Sequence, residues 1–548
     1  MQRYYRFISG LGKFARSRMS ADEAIVTARQ VLKKRLATRE ENFLVLAEKS
    51  IFRYPQSPYR KLLEAKRISF SDLKSWVTRD GIESTLQHLA NEGIYFTLEE
   101  FKGKTPVVRN GVSFSCCEKM FDNPFLADAY EVRSGATRSA GTRIRIDFDY
   151  LQQRSFYDAF LLDIHGCLKA PVANWFPVFP GAPGINSSLR FAHIGNPVQR
   201  WFSQVAEDRL QINWEKKLGT WLMFTVSSLS GAPLARPEYL GLNEAHKVAE
   251  WASQRLNEHG KCVIYTFAGS AVHVCIAAAE GGLNLKGAKF FVTGEPLSPH
   301  KRAEIESVGA SVVPVYGISE AGVIAAGCNV RHAESDHCHV YQDTTTIIPF
   351  KYNIPHFDLS VEQFLFTTLL YESPKLLLNV GMGDYGQITT EPCGCGFGEL
   401  GFDTCVSNIR SYEKLTGEGV TFVETDFIRI IEKDLPQTFG GTSTDYQLVE
   451  EEDGHGLTEL CLRISPRVGE IDEAQVVHKF LYLLNRAEDT WWAQSGTEMW
   501  KQSHMVKIRR DFPMRTRSAK ILPFYLLKPA KENVAIPEQI STAELCAK

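Results

Sequence analysis

The chain has 548 residues, and its 62 Lys plus Arg against 64 Asp plus Glu leave a formal net charge of −2. That balance argues against a nucleic-acid binder held by bulk charge, and 44% hydrophobic with 23% charged residues excludes disordered, collagenous and coiled-coil material. The length allows about three or four domains, or one large multi-lobed body with a smaller domain appended.

Met1–Met19 carries Arg3, Arg6, Lys13, Arg16 and Arg18 among aromatics and reads as a solvated amphipathic helix. It lacks the apolar stretch and cleavage site of a secretory signal. Ser20 to about Gly111 is predicted to be mostly helical, as in Ser71–Ala90, where Leu73, Trp76, Ile82, Leu86 and Leu89 recur at helical spacing. From Phe125 to Arg145 the texture turns to Ser, Gly, Thr and Arg. A region rich in Trp, Phe, Pro and Gly follows, of a kind that suits pocket walls.

Between Lys261 and Gly317 short apolar runs alternate with helices. Cys262–Phe267, Ala288–Val292 and Ser311–Tyr316 are predicted strands; Ala271–Ala279 and Ser298–Val308 are predicted helices, the second with Ser298 as N-cap, Pro299 at its first position and Gly309 at its end. Such alternation implies βαβ units and a buried parallel sheet. Gln363–Leu370 reads as a further strand, with a turn at Gly381–Gly386. After Arg410 the elements become shorter and more charged. No run approaches the roughly 18 apolar residues of a membrane span, and twelve cysteines without a signal fit reduced thiols in the cytoplasm.

Four stretches carry chemistry. Arg133–Thr142 is dense in glycine and hydroxyl residues, which can turn N–H groups and hydroxyls toward phosphate oxygens. Gly294-Glu295-Pro296-Leu297 precedes, by one helix and one strand, Tyr316-Gly317-Ile318-Ser319-Glu320, where a carboxylate could hold Mg²⁺ and an aromatic could cover a purine. Asp384, between Gly383 and Tyr385, could accept ribose hydroxyls from a glycine turn. Lys520, just before Ile521 and Leu522, could neutralise negative charge in a site. The plainer readings are a surface loop, a solvated helix-start acid, an Asx turn and a solvated lysine.

Taken in this order, the four resemble the adenylate-forming superfamily of acyl-CoA ligases, and within it the phenylacetate-CoA ligase-like branch. The match spans roughly Ser57 to Phe524. The resemblance implies an α/β fold: an N-terminal body over 1–408 with mostly parallel sheets and a helical lead to about 111, and a small mobile α+β domain over 409–548. It places Ser134, Gly135 and Thr137 in a phosphate loop with Gly294 and Glu295 in the nucleotide site. Tyr316 falls at the adenine with Gly317 and Ser319 beside it, Glu320 at Mg²⁺, Asp384 at the ribose, Arg410 at a hinge, and Lys520 at the adenylation step.

The implied activity is ATP-dependent activation of a small carboxylic acid through an acyl-adenylate, followed by thioester formation with CoA. Alternatives are transfer to a carrier-protein thiol or an amine, and a catalytically silent nucleotide binder. The last is motivated by Arg133, Ala136 and Arg138 in the phosphate loop and by Leu378–Gly383 before Asp384, where the family carries different residues. A homodimer stays open. The acyl pocket is expected to draw on His165, Trp175, Phe176, Phe179, Trp201 and Phe267.

Separately, Cys393-Gly394-Cys395 puts two thiols on a glycine turn, and upstream lie Cys328, His332, His337, Cys338 and His339. Two thiolates plus a distant Cys and His suit tetrahedral zinc, against free thiols in a loop pair. The family pattern assigns Cys328, His339, Cys393 and Cys395 to a structural zinc, with Cys338 or His337 as substitutes.

Overall fold

A computed structural model describes residues 2–126, 130–133, 143–176, 183–204, 214–229, 233–241, 244–294, 297–330, 332–353, 360–411, 416–417, 420–421, 429–452, 458–487, 506–514, 521 and 523–526. The lead segment is helical, with α1 (Gln2–Arg16), α2 (Ala21–Ala37), α3 (Arg39–Ala47), α4 (Tyr59–Ala65), α5 (Phe70–Asn91) and α6 (Leu98–Phe101). Ser20 and Ser69 start α2 and α5 with reciprocal capping boxes to Glu23 and Asp72, which satisfy backbone N–H groups that a helix leaves unpaired. Gly81, at φ +81° and ψ 174°, breaks α5 into two pieces.

Helix α1 is more than a solvated amphipathic helix. Its Phe7, Leu11 and Phe14 are buried in a cluster with Phe148, and Phe14 stacks on His193 with centroids 4.9 Å apart. The apolar face is covered by protein.

Two hairpins follow, β1 (Val107–Arg109) with β2 (Val112–Phe114) and β3 (Tyr130–Arg133) with β4 (Arg143–Ile146). Then α7 (Phe148–Ile164), β5 (Val172–Trp175), α8 (Pro183–His193), β6 (Arg200–Ser203), α9 (Trp214–Leu229), β7 (Pro237–Tyr239), α10 (Ala245–His259), β8 (Cys262–Phe267), α11 (Ala268–Glu280), β9 (Ala288–Thr293), α12 (Pro299–Ser307) and β10 (Ser311–Ile318) alternate. The remaining strands of this sheet are β11 (Gly322–Ala326), β12 (Cys338–Val340), β13 (Thr345–Asn353), β14 (Ser360–Thr368), β15 (Val380–Thr390) and β16 (Thr404–Ser411).

They form a sheet in the order β13-β14-β15-β16-β12-β11-β10-β9-β8-β5-β6-β7. The α/β class holds, but the sheet is mixed. From β7 to β10 every pairing is parallel, as the alternation around Lys261–Gly317 predicts, whereas from β10 to β13 every pairing is antiparallel. Strand β8 is buried along its whole length because helices cover both faces. Val263, Tyr265 and Phe267 meet α7 and α8, while Ile264 meets α10 and α11.

The expected turn at Gly381–Gly386 is instead part of β15, so Asp384 sits in an irregular strand. Gly383 adopts φ +81°, and the pairing of β15 shifts register against both β14 and β16. The glycines thus bend an extended strand without reversing it.

Beyond Ser411, a four-stranded sheet in the order β21-β20-β19-β22 is made by β19 (Tyr446–Glu452), β20 (Thr458–Ile464), β21 (Val506–Arg510) and β22 (Phe524–Leu526). A two-residue strand pair, β17 (Thr416–Gly417) and β18 (Val420–Thr421), precedes it. Ile430, Leu435, Leu448, Leu462, Val476 and Phe480 form its own core. It touches the body through Glu432, whose carboxylate lies 2.8 Å from Lys301 Nζ of α12 with both side chains buried. Among the described residues, no helix is long and apolar enough to cross a membrane.

Candidate active site and metal centre

Tyr316 lies near the end of β10, half-buried beside a bulge between Tyr316 and Gly317; Val315 and Ile318 are buried, while Gly317 and Ser319 are exposed. Its hydroxyl donates to Asp384 Oδ2 at 2.8 Å, although three strands separate β10 from β15 in the sheet. Burial, then the Asp384 carboxylate, holds the Tyr316 phenol well above its usual range, so it stays a donor. Beside Asp384, Tyr385 is paired with Arg410 of β16. Arg410 Nη1 lies 3.3 Å from Asp336 Oδ2 and donates to Ile409 O at 2.7 Å. Asp336 also accepts the N–H groups of Asn408 and Ile409 at 2.8 and 2.9 Å.

Glu320 is not a solvated helix-start acid. It is buried in the turn between β10 and β11, with Lys102 Nζ 3.7 Å from Oε1. That lysine is the edge of a charge cluster that sequence reasoning missed. Lys102 also faces Glu118 at 4.0 Å, and the wholly buried Lys375 donates to Glu118 O at 2.8 Å and Asp122 Oδ1 at 2.6 Å. Desolvation lowers the Lys375 pKa, with Asp122 opposing it. Arg143 pairs with Asp122, and its N–H donates to Glu118 Oε1 at 3.1 Å. The only sequence signal was a lysine set against the apolar run Leu376–Leu378.

This cluster anchors the β3–β4 hairpin next to Glu320. Residues 134–142, which include the predicted phosphate-loop Ser134, Gly135 and Thr137, lie outside the described residues, as do Glu295 and Lys520. Their flanks are described. Arg143 begins β4, and Gly294 follows β9 at φ +77°. Leu297 O accepts from Ser335 Oγ at 2.6 Å. Ile521 is buried in the core cluster that contains Leu297.

Gly322 begins β11, and a Cβ there would collide with the Tyr150 hydroxyl, which donates to Ala321 O at 2.9 Å. Helix α7 therefore starts against the Glu320 turn. The aromatics expected to wall an acyl pocket belong to the core. Trp175 and Trp201 are fully buried, their indole N–H groups spent on Leu240 O and Phe176 O. Phe176 packs edge-on against Phe267, and His165 contacts Gly327 O at 3.2 Å; Phe179 lies outside the described residues. A small cavity between α7, α8 and the sheet, on the face away from Tyr316, has Arg154, Arg190 and Tyr265 among its walls.

The ligand atoms of Cys328, His339, Cys393 and Cys395 all lie within 4.8 Å of one another. Cys328 and Cys393 Sγ are 4.0 Å apart, and Cys395 Sγ is 3.4 Å from His339 Nε2. A tetrahedral zinc with bonds of about 2.3 Å to sulfur and 2.0–2.1 Å to nitrogen would separate its ligands by about 3.8 and 3.5 Å. The donor set fits such an ion. His339 Nδ1 lies 2.9 Å from Phe402 O; since a carbonyl can only accept, Nδ1 carries the proton and Nε2 is left for a metal. The Cys328 thiol beside Cys395 holds the Cys395 thiol down at about 3, while Cys328 is itself pushed up, so the pair gives up one proton readily.

Cys338 is turned to the opposite face of β12, toward Pro314 O, as strand alternation requires. His332 stacks on His337 at 3.6 Å between ring centroids and places Nε2 3.3 Å from Cys328 Sγ, at the rim of the four.

No family model and no curated protein matches the chain. The solved structures similar to it include an open conformation of 2-hydroxyisobutyryl-CoA ligase in complex with 2-HIB-AMP and CoA, at 14% identity and a TM-score of 0.43 over 94% of this chain and 93% of that one. Anthranilate CoA ligase AuaEII in complex with anthranoyl-AMP gives 10% identity and 0.40 over 72% and 65%. ATP-bound MatB from Rhodopseudomonas palustris gives 11% and 0.39 over 71% and 66%. The chemistry of the site rests on its own residues.

Proposed function

We propose that the chain is an AMP-forming acid–thiol ligase, which activates a carboxylic acid with ATP and passes the acyl group to CoA. One observation carries the reading: Tyr316, from the motif that ends in Glu320, donates to Asp384 three strands away, Arg410 pairs opposite the neighbouring Tyr385, and Glu320 meets the charge cluster that holds the β3–β4 hairpin flanking residues 134–142. Asp384 would take ribose hydroxyls, Tyr316 would orient Asp384 and border the base, and Glu320 would hold Mg²⁺ against the pyrophosphate oxygens. A carboxylate is a poor acceptor. Transfer of AMP to its oxygen breaks the bond to pyrophosphate and makes a mixed anhydride that a thiol can attack. Lys520 would stabilise the charge on the α-phosphate, and Arg410 would sit at the hinge of a C-terminal domain that begins close to 409.

Zinc in the Cys328, His339, Cys393 and Cys395 cluster would be structural, since protein supplies all four ligands. Ten of the described cysteines are free thiols, but Cys117 is disulfide-bonded, against the expectation of reduced thiols throughout; a cytoplasmic location belongs to the same proposal. The phenylacetate-CoA ligase-like subtype rests on the motif resemblance alone; a carrier-protein thiol or an amine is the alternative acceptor to CoA, and a homodimer stays open. Incubation with ATP, CoA and a panel of aryl and fatty acids should release AMP and pyrophosphate and yield an acyl thioester. ADP as the nucleotide product would overturn the reading.

The Lys102–Glu320 contact of 3.7 Å favours a second reading, a silent nucleotide binder in which a lysine takes the place of the cation. ATP binding that is indifferent to Mg²⁺ would support it.

A further inference from the structure

Lys102 stands between two carboxylates that border the proposed nucleotide site. Its Nζ lies 3.7 Å from Glu320 Oε1 and 4.0 Å from Glu118 Oε2. Glu118 in turn accepts the Arg143 N–H at 3.1 Å, at the foot of residues 134–142. Both separations of Nζ exceed the roughly 2.7–3.2 Å of an N–H···O hydrogen bond, so the two carboxylates share the ammonium as a charge and neither binds it closely.

The backbone beneath this side chain is fixed. Lys102 caps the C-terminus of α6, its N–H donating to Leu98 O at 2.8 Å. Gly103 follows at φ +71°, where a Cβ would come within 2.7 Å of Cys116 O. What can move is the flexible stem of the lysine and the charge at its end.

Glu320 is only 6% exposed, and a buried carboxylate needs a cation beside it. In the free protein Lys102 supplies that charge. One carboxylate together with phosphate oxygens is a donor set that suits Mg²⁺, but an ammonium and a divalent cation on the same carboxylate repel. Lys102 must therefore give up its place when ATP binds with Mg²⁺. Glu118, at the foot of the proposed phosphate loop, keeps the released ammonium on the side where the terminal phosphates would lie.

We propose, on the ligase reading above, that Lys102 exchanges partners: it neutralises Glu320 in the free protein, yields that carboxylate to the cation that accompanies ATP, and then donates to the β- and γ-phosphate oxygens that leave as pyrophosphate. It is a catalytic residue for the leaving group, whereas Lys520 acts on the α-phosphate. Its removal has two effects of opposite sign. The cation binds more readily because its competitor is gone, and pyrophosphate binds less well because a donor is gone; structural damage would weaken both.

The test compares the wild-type chain with Lys102→Met and Lys102→Arg. ATP binding, measured by equilibrium dialysis over a range of Mg²⁺, should reach half-saturation at about fivefold lower Mg²⁺ in Lys102→Met. In acid-dependent ATP–pyrophosphate exchange the same variant should show a KM for pyrophosphate raised about tenfold, and Lys102→Arg should lie between it and wild type in both measurements. A Mg²⁺ requirement unchanged or raised in Lys102→Met, a pyrophosphate KM that does not rise, or wild-type ATP binding indifferent to Mg²⁺ overturns the proposal, while exchange by the wild-type chain leaves the ligase reading intact. Absence of exchange on every acid sinks the ligase reading. Dialysis then still decides the competition at Glu320: a lower Mg²⁺ requirement in Lys102→Met sustains it, and no shift sinks both. Should Lys102→Met not fold, Lys102→Gln, whose amide can still donate to Glu320, carries the same measurements with the same expected directions.

Discussion

His193 shows how a single buried side chain ties the lead helix to pH. It is 1% exposed, its Nδ1 meets Ser155 Oγ at 3.0 Å, and Phe14 of α1 stacks on its ring. Burial lowers its pKa from 6.5 to about 4, so the folded chain resists a proton that the unfolded chain accepts. Between pH 6.5 and 4 the unfolded state binds more protons, and stability falls as the pH falls through that window, by about 3 kcal/mol from this group. Thermal unfolding followed from pH 7 to 4 should show this loss on top of that from His165, which burial also lowers to about 4, and His193→Gln should make the slope shallower by its own share; an equal slope in the variant would refute the assignment. Glu320 is legible in a different way. Its place after a predicted strand could be read from the motif, but its burial against Lys102 could not, because Lys102, Glu118, Asp122 and Lys375 are brought together only by tertiary structure.

At the scale of elements, the segment Cys328–His339 serves two neighbours. It contributes Cys328 and His339 to the candidate metal centre, and between them Ser335 holds Leu297 O while Asp336 holds the Asn408–Arg410 backbone and side chain. Loss of the metal would release the loop that positions Arg410. Protein purified without chelator should hold about one zinc per chain, and Cys328→Ser should lose it with a fall in melting temperature; a full zinc complement in that variant would remove Cys328 from the site. The C-X-C turn was readable in the sequence, whereas the choice of His339 over Cys338 depends on which face of β12 each occupies.

The contact between α12 and the C-terminal part makes a sharper energetic prediction. With Lys301 and Glu432 both buried, removing either partner alone should cost about 3–5 kcal/mol, whereas Lys301→Met combined with Glu432→Leu should recover most of it. Additive losses in the double variant, measured by urea unfolding, would show that the pair is not coupled. Neither residue stands out in the sequence, since a lysine in a helix and a glutamate in a charged stretch are ordinarily solvated.

For the whole molecule, the regular half of the fold was the most legible. Strands β8, β9 and β10 and the capped helix α12 follow from apolar runs, Ser298, Pro299 and Gly309, because local periodicity and capping dictate them. Asp384 was misplaced in a turn because glycine-rich sequence signals either a reversal or a bulge, and only pairing to β14 and β16 decides between them. The balanced charge of the chain accords with a site whose decisive groups are few and local.

The central claim, that this site transfers AMP to a carboxylate, is tested most directly by acid-dependent exchange of labelled pyrophosphate into ATP. The wild-type chain should catalyse exchange with at least one acid of the panel, and Lys520→Ala should slow it by about 10² to 10³-fold while still binding ATP. ATP binding with no exchange on any acid, or exchange unaffected by Lys520→Ala, would contradict the account.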